Sequence, residues 1–213
     1  MPSPLVLVLL VAGGVWGFVA DRIGARWPSH EDGSVRGIDW RTVVAVVVGA
    51  VALALVPVRF ADDQPAQILF GAYVVALVLL LATDLDQRLL PNEITLPAIP
   101  YAFVVSLVGL NPLVTPSLLP IAAVVAVLIP GLLWLLAKPF GAGAIGQGDL
   151  KLLVSVGLLA GPLRLFSGVV YGALLAGVVI VVLLVLRRIT LKTFIPFGPF
   201  LIIGALWAIL VLQ

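Results

Sequence analysis

The chain is a succession of apolar runs, and the spacing of the breaks between them limits its fold more than any other feature. Stretches such as Val74-Val75-Ala76-Leu77-Val78-Leu79-Leu80-Leu81-Ala82-Thr83 hold no charge and no strict polar–apolar alternation. Over 213 residues, 62% are hydrophobic and 10% charged, and the mean hydropathy is +1.27. That leaves too little polar surface to coat a water-soluble globule, so lipid is the natural solvent. In hydrocarbon, backbone polar groups must be paired inside the protein, which admits helices or a closed barrel; long apolar runs select helices. The expected fold is an all-α, polytopic transmembrane bundle.

Breaks at charge, proline and glycine place about eight spans, at about 4–23, 42–58, 66–83, 94–110, 116–137, 149–161, 164–186 and 193–212. The sixth is short, which is tolerable where it is surrounded by protein or a water-filled cavity. Ten of the twelve Lys and Arg fall in the connections after spans one, three, five and seven, and only Arg59 and Arg164 fall in the others. Basic residues are retained on the cytoplasmic side, so both termini are expected outside and the connections after Thr83 and before Leu150 inside. The longest polar connection, Gly24 to Arg41, is too short for an independent core. Two regions are expected: an N-terminal two-span region over 1–65 with a short cytoplasmic loop, and a six-span core over 66–213.

Several chemistries are excluded early. The chain has no cysteine, hence no disulfide or thiolate site, and a single histidine, His30, cannot assemble a zinc site. No metal and no cofactor are expected. The basic residues are scattered over short loops without forming a patch, despite a pI of about 9.3, so no nucleic acid partner is expected. The glycines around 141–148 do not form the Gly-x-x-x-x-Gly-Lys-Ser/Thr phosphate cradle. Met1 to Ala20 lacks a basic leading segment and reads as a retained span.

Among ten carboxylates, Asp84 and Asp149 stand apart because each lies at the lip of a span on the same membrane side. An ionisable group there tends to face protein or water and to serve a function. For Asp84 the plainer alternative is an ordinary helix-end acid. For Asp149, which follows Gly146-Gln147-Gly148, it is the N-cap of span six. Lys151 has a plain alternative too, as a snorkelling lysine. If the two aspartates met, one could stay protonated while the other acted as base toward a water attacking a peptide carbonyl.

Three segments carry a resemblance to a known family. Asp84-Leu85-Asp86-Gln87-Arg88-Leu89-Leu90-Pro91-Asn92-Glu93-Ile94-Thr95 is similar to an Asp-x5-(Ile/Leu)-Pro-(Asn/Asp)-x-(Ile/Leu)-Thr segment. Gly146-Gln147-Gly148-Asp149-Leu150-Lys151-Leu152 is similar to Gly-x-Gly-Asp-x-Lys-Leu, and Ile195-Pro196-Phe197-Gly198-Pro199 to a Pro-Phe-Gly-Pro turn that opens the last span. In this order they resemble the type IV prepilin peptidases, relatives of the archaeal preflagellin peptidases. Upstream, Gly17-Phe18-Val19-Ala20-Asp21-Arg22 to Pro28 resembles the N-terminal stretch of bacterial members, with Asp21 where asparagine is usual.

The resemblance implies a prokaryotic inner-membrane aspartic endopeptidase with Asp84 and Asp149 catalytic and its site at the cytoplasmic face. Its substrates would be prepilin or pseudopilin precursors. Gly146 and Gly148 would let the substrate backbone approach, Lys151 would be in a supporting role, and Pro91 with Asn92 would start span four through an asparagine cap. Glu31, Asp32 or Asp86 would attract a basic leader. Larger members also N-methylate the new terminus and carry paired Cys-x-x-Cys motifs; the short, cysteine-free loop here puts methyl transfer in doubt. Two other classes share some features. A presenilin-like or signal-peptide-peptidase-like protease would carry Tyr-Asp where this chain has Thr83-Asp84, and a proton-coupled transporter would use the same aspartates as ion sites.

Overall fold

The computed structural model describes residues 3–28, 34–140, 145–190 and 196–212. Eight α-helices are present among them: α1 (Pro4–Gly24), α2 (Trp40–Arg59), α3 (Gln64–Gln87), α4 (Asn92–Leu107), α5 (Leu119–Ala137), α6 (Gln147–Ala160), α7 (Pro162–Val185) and α8 (Gly198–Leu210). They fall on the eight apolar runs. Their ends follow local chemistry. Ser3, Asp39 and Asp63 cap α1, α2 and α3 with side-chain oxygens, Asp63 Oδ1 accepting the Ala66 N–H at 2.9 Å. The fourth helix ends at Leu107, short of the expected 110. Gly109, at φ +77°, closes its last turn, and the Leu110 N–H reaches back to Val105 O at 3.2 Å. The third runs past the expected boundary to Gln87, so Asp84 sits inside its final turn rather than at its end.

Five helices, α1, α2, α3, α5 and α7, are long and apolar enough to cross a membrane. Their outward faces are ones that water would not tolerate: Val124 and Leu128 on α5 are 65% and 61% exposed. The helices α4, α6 and α8 have 16, 14 and 13 residues. At about 1.5 Å per residue, α6 is about 21 Å long, less than a hydrocarbon core of about 30 Å. It is tolerated because it is shielded. It packs against α4 and α5 with further contacts to α7 and α8, and Leu152, Leu153, Val156 and Leu159 on it are buried. Its final carbonyls would otherwise be orphans in a dry interior. Asn111 Nδ2 donates to Leu159 O at 2.7 Å, Ser106 Oγ donates to Leu158 O at 3.0 Å, and the Gly161 N–H takes Gly157 O at 3.0 Å.

Helix association in lipid gains little from the hydrophobic effect and relies on close backbone approach. Gly13 and Gly17 of α1 face Gly49 and Ala45 of α2; a Cβ on Gly17 would overlap the Ala45 carbonyl. Gly168 and Gly172 of α7 meet Gly204 and Phe200 of α8 in the same manner. Polar side chains tie the remaining helices: Trp16 Nε1 donates to Val75 O at 3.0 Å, Tyr101 OH to Leu69 O at 2.7 Å, and Tyr73 OH lies 2.8 Å from Ser155 Oγ. Because the obstacle at Gly17 is rigid backbone, Gly17→Ala is expected to lower stability by about 1–3 kcal/mol, read from unfolding in detergent or lipid. An unchanged midpoint would mean that α1 and α2 can separate at no cost.

The resulting layout is a chain of neighbours. α1 and α2 pack on each other and on α3; α3 contacts α8, which packs on α7; α4 and α5 enclose α6. The C-terminal end of α3 and the N-terminal ends of α4, α6 and α8 thereby meet at one level of the bundle.

Candidate active site

Asp84 is carried by the last turn of α3, which is closed by Arg88 in a left-handed conformation at φ 56°, its N–H bonding Asp84 O at 2.9 Å. Its carboxylate is 4% exposed, and Oδ2 has no hydrogen-bond partner. Asp149 is 9% exposed and is the third residue of α6 rather than its cap. The backbone of Gly146 occupies the cap position, and Asp149 Oδ2 accepts the Gly146 N–H at 3.3 Å, leaving Oδ1 turned elsewhere.

The two carboxylates converge on the first residue of α8. A Cβ built on Gly198 would overlap Asp84 Oδ2 and lie 3.0 Å from Asp149 Oδ1. One point is thus within hydrogen-bond distance of both side chains. The oxygens face each other across a gap that a single water molecule can bridge, water bonds to oxygen being about 2.8 Å long. Glycine at 198 is a steric requirement of this arrangement, since any side chain would fill the space in which the carboxylates meet.

A cavity of about 460 Å³ opens onto the pair. One side is the stretch Arg88 to Glu93 between α3 and α4, another is Gly146 to Gly148, and Pro28 from the α1–α2 connection forms a third. Gly148 lies against the chain's own Leu90: a Cβ there would come 2.7 Å from Leu90 Cβ. Its lack of a side chain therefore brings α6 against the start of α4, and Gly146 borders Asp149. The expected asparagine cap of α4 is absent. Pro91 takes the cap position without a side-chain bond, and Asn92 Oδ1 instead accepts from Lys151 Nζ at 2.6 Å. Lys151 thus ties α6 to α4 at the rim of the cavity.

Beside the cavity lies a cluster of charges. Arg36 bonds Asp21, Asp39 and Asp86, the last through Nε at 2.6 Å; Arg41 Nη1 also bonds Asp86, at 3.0 Å, and Thr42 Oγ1 donates to Asp21 at 2.8 Å. Burial works against the charge on Arg36, but the carboxylates of Asp21 and Asp86 hold its pKa above the usual arginine value. The expectation that Asp86 attracts a basic leader is overturned by this pairing: its side chain is 2% exposed and its charge is already neutralised by two guanidiniums. Glu31, Asp32 and His30 lie outside the described residues, as does Ile195. No group of three or more His, Cys, Asp and Glu able to hold a metal occurs among the described residues.

Fold and site together define a polytopic helical membrane protein with a buried pair of aspartates at one end of its bundle. Residues 71–211 match the model of the type IV leader peptidase family, and the chain belongs to that family. The matched region contains Asp84, Asp149 and Gly198. Similar proteins include a prepilin leader peptidase/N-methyltransferase of Pseudomonas putida, 36% identical over 155 residues, which is 66% of this chain and 52% of that one. A protein of the same name from Burkholderia pseudomallei (strain 1026b) is 32% identical over 188 residues, 85% of this chain and 53% of the other. The chain spans about half the length of the curated relatives it matches. No solved structure matches it.

Proximity of Asp84 and Asp149 is not readable from positions 65 residues apart, and neither is the part taken by Gly198. The Pro196-Phe197-Gly198-Pro199 turn is visible in the sequence as the start of the last helix, but not as the floor of the site. Pro28 at the cavity wall, and Gln87 and Arg36 that hold the segments around it, carry no distinguishing signal in the sequence, since a glutamine beside an aspartate at a helix end is commonplace.

Proposed function

We propose that the protein is an aspartic endopeptidase that removes the leader from type IV prepilin-like or pseudopilin precursors at the cytoplasmic face of a prokaryotic inner membrane. The observation that carries this reading is the convergence of the Asp84 and Asp149 carboxylates over Gly198 beneath an open cavity. Family membership and the names of its relatives support the substrate class. The distribution of Lys and Arg supports the side of the membrane.

The chemistry needs only the two side chains and a water. Two carboxylates so close and so little exposed share one proton. The ionised member takes a proton from water as its oxygen bonds to the scissile carbonyl carbon, and the protonated member donates a hydrogen bond to the carbonyl oxygen. Collapse of the tetrahedral adduct breaks the C–N bond, and the leaving amine takes up a proton from the pair. Acid and base are properties of the coupled pair rather than of either residue. Methyl transfer is not assigned to this chain, which holds no cysteine for the paired motifs of bifunctional members.

The test is cleavage of a prepilin with its leader by the purified protein in lipid or detergent. A shortened product with the apolar segment at its new N-terminus is expected, and kcat should follow a bell-shaped pH profile, because one proton too many or too few disables the pair. Absence of cleavage across prepilin and pseudopilin substrates by a folded sample would discard the assignment. A profile with one limb only would discard the shared-proton mechanism while leaving the substrate class intact.

A further inference from the structure

The family match begins at residue 71 and so leaves out α1 and α2. Three features nevertheless join this N-terminal pair to the turn of α3 that bears Asp84. The first is steric: Gly24, the last residue of α1, lies against the Ala82–Thr83 peptide, and a Cβ there would be 3.2 Å from both Ala82 C and Thr83 N. The peptide immediately before Asp84 is thus in direct contact with the end of α1. The second is a pair of hydrogen bonds. Gln87 Nε2 donates to Gly24 O at 3.0 Å and to Pro28 O at 2.6 Å, so the residue three after Asp84 grips the segment whose Pro28 forms a wall of the cavity. The third is ionic: Arg36 links Asp86 of α3 to Asp21 of α1 and to Asp39, the cap of α2.

The final turn of a helix frays readily, because its last carbonyls lack intrahelical partners. Here that turn carries a residue of the proposed catalytic pair, and its orientation is fixed from outside the matched region. We infer that Gln87 and Arg36 are positioning residues of the site, clamping α1 and the Gly24–Pro28 segment onto α3 so that Asp84 faces Asp149 and the cavity keeps its third wall. The inference rests on the endopeptidase reading for its kinetic arm. It makes α1 and α2 a working part of the peptidase rather than an anchor.

The experiment compares the full chain with Gln87→Leu, Gln87→Lys and Arg36→Gln, measuring leader cleavage per folded molecule and hydrogen exchange of the amides at 85–88. Removing the donor in Gln87→Leu is expected to lower kcat by about ten- to a hundredfold with KM changed little, since misplacing a reacting group costs rate more than binding. The same amides should exchange about tenfold faster. Gln87→Lys, which restores a donor to the two carbonyls, is expected to recover most of the loss, an effect that a merely structural glutamine would not produce. Arg36→Gln leaves the buried Asp21 with Arg22 and Asp86 with Arg41, one guanidinium each, and could fail to fold; the Gln87 variants keep the test decisive in that case. Unchanged kcat per folded molecule in Gln87→Leu, or a loss that only follows the folded amount, would overturn the inference. If the wild type cleaves nothing, the endopeptidase assignment fails by itself, and unaltered exchange at 85–88 in Gln87→Leu would separately dismiss the clamp.

Discussion

Asp84→Asn and Asp149→Asn are each expected to lower kcat for leader cleavage by about 10²–10⁴-fold, with the protein still inserted and folded. Asparagine preserves the shape of the side chain and can neither take a proton from water nor hold the shared proton for the leaving amine. The fold should survive because neither carboxylate is an essential support. Asp84 Oδ2 has no hydrogen-bond partner, and Asp149 contributes a single 3.3 Å bond from the Gly146 N–H. The double variant should be scarcely worse than either single one, because residues that act as a unit do not contribute additively. Cleavage persisting at near wild-type rate in either variant, at verified membrane levels, would remove the paired mechanism.

The second large effect is expected at a residue with no side chain. Gly198→Ala should reduce cleavage by about 10²-fold while leaving the unfolding midpoint nearly unchanged. The added Cβ would overlap Asp84 Oδ2 and crowd Asp149 Oδ1. The Cβ would also meet Asp84 Cγ at 2.8 Å, but every obstacle belongs to a rotatable side chain, which can turn aside at little cost to the fold, and turning aside separates the pair. The contrast with Gly17→Ala is instructive. At Gly17 the obstacle is the Ala45 carbonyl, which is rigid backbone, so the same one-carbon change is expected to act on stability. Measuring cleavage and unfolding for both variants separates the two effects; a stable, fully active Gly198→Ala protein would show that the carboxylates do not meet over that residue.

Much of the architecture was legible because lipid leaves the chain few choices. Hydrocarbon admits only helices or closed barrels, an unbroken apolar run such as Val74 to Thr83 selects the helix, and the breaks between runs are chemically plain. Boundaries were less legible where a helix end depends on partners. The third helix continues to Gln87 because Asp86 and Gln87 are held by Arg36, Arg41 and the Gly24 and Pro28 carbonyls, none of them local in sequence. The cap of α4 followed the same rule. Asn92 has the composition of a cap, yet Lys151, 59 residues away, offers it a bond at 2.6 Å.

The charges divide in the same way. That Asp84 and Asp149 are unusual follows from their place at the lips of apolar runs, since burying a carboxylate there needs a reason. Asp86 carries the same formal charge two residues from Asp84 and has a different role, because Arg36 and Arg41 neutralise it.

The sequence by itself determined a helical bundle in lipid, its approximate spans, its family resemblance and the two aspartates, because hydrophobicity and local motifs are properties of contiguous residues. Only the tertiary structure decided that those aspartates converge over Gly198, that Asp86 is paired and that α1 is fastened to the turn bearing Asp84. Those are distances between segments far apart along the chain, set by which helices can approach closely enough to bring their ends to one level.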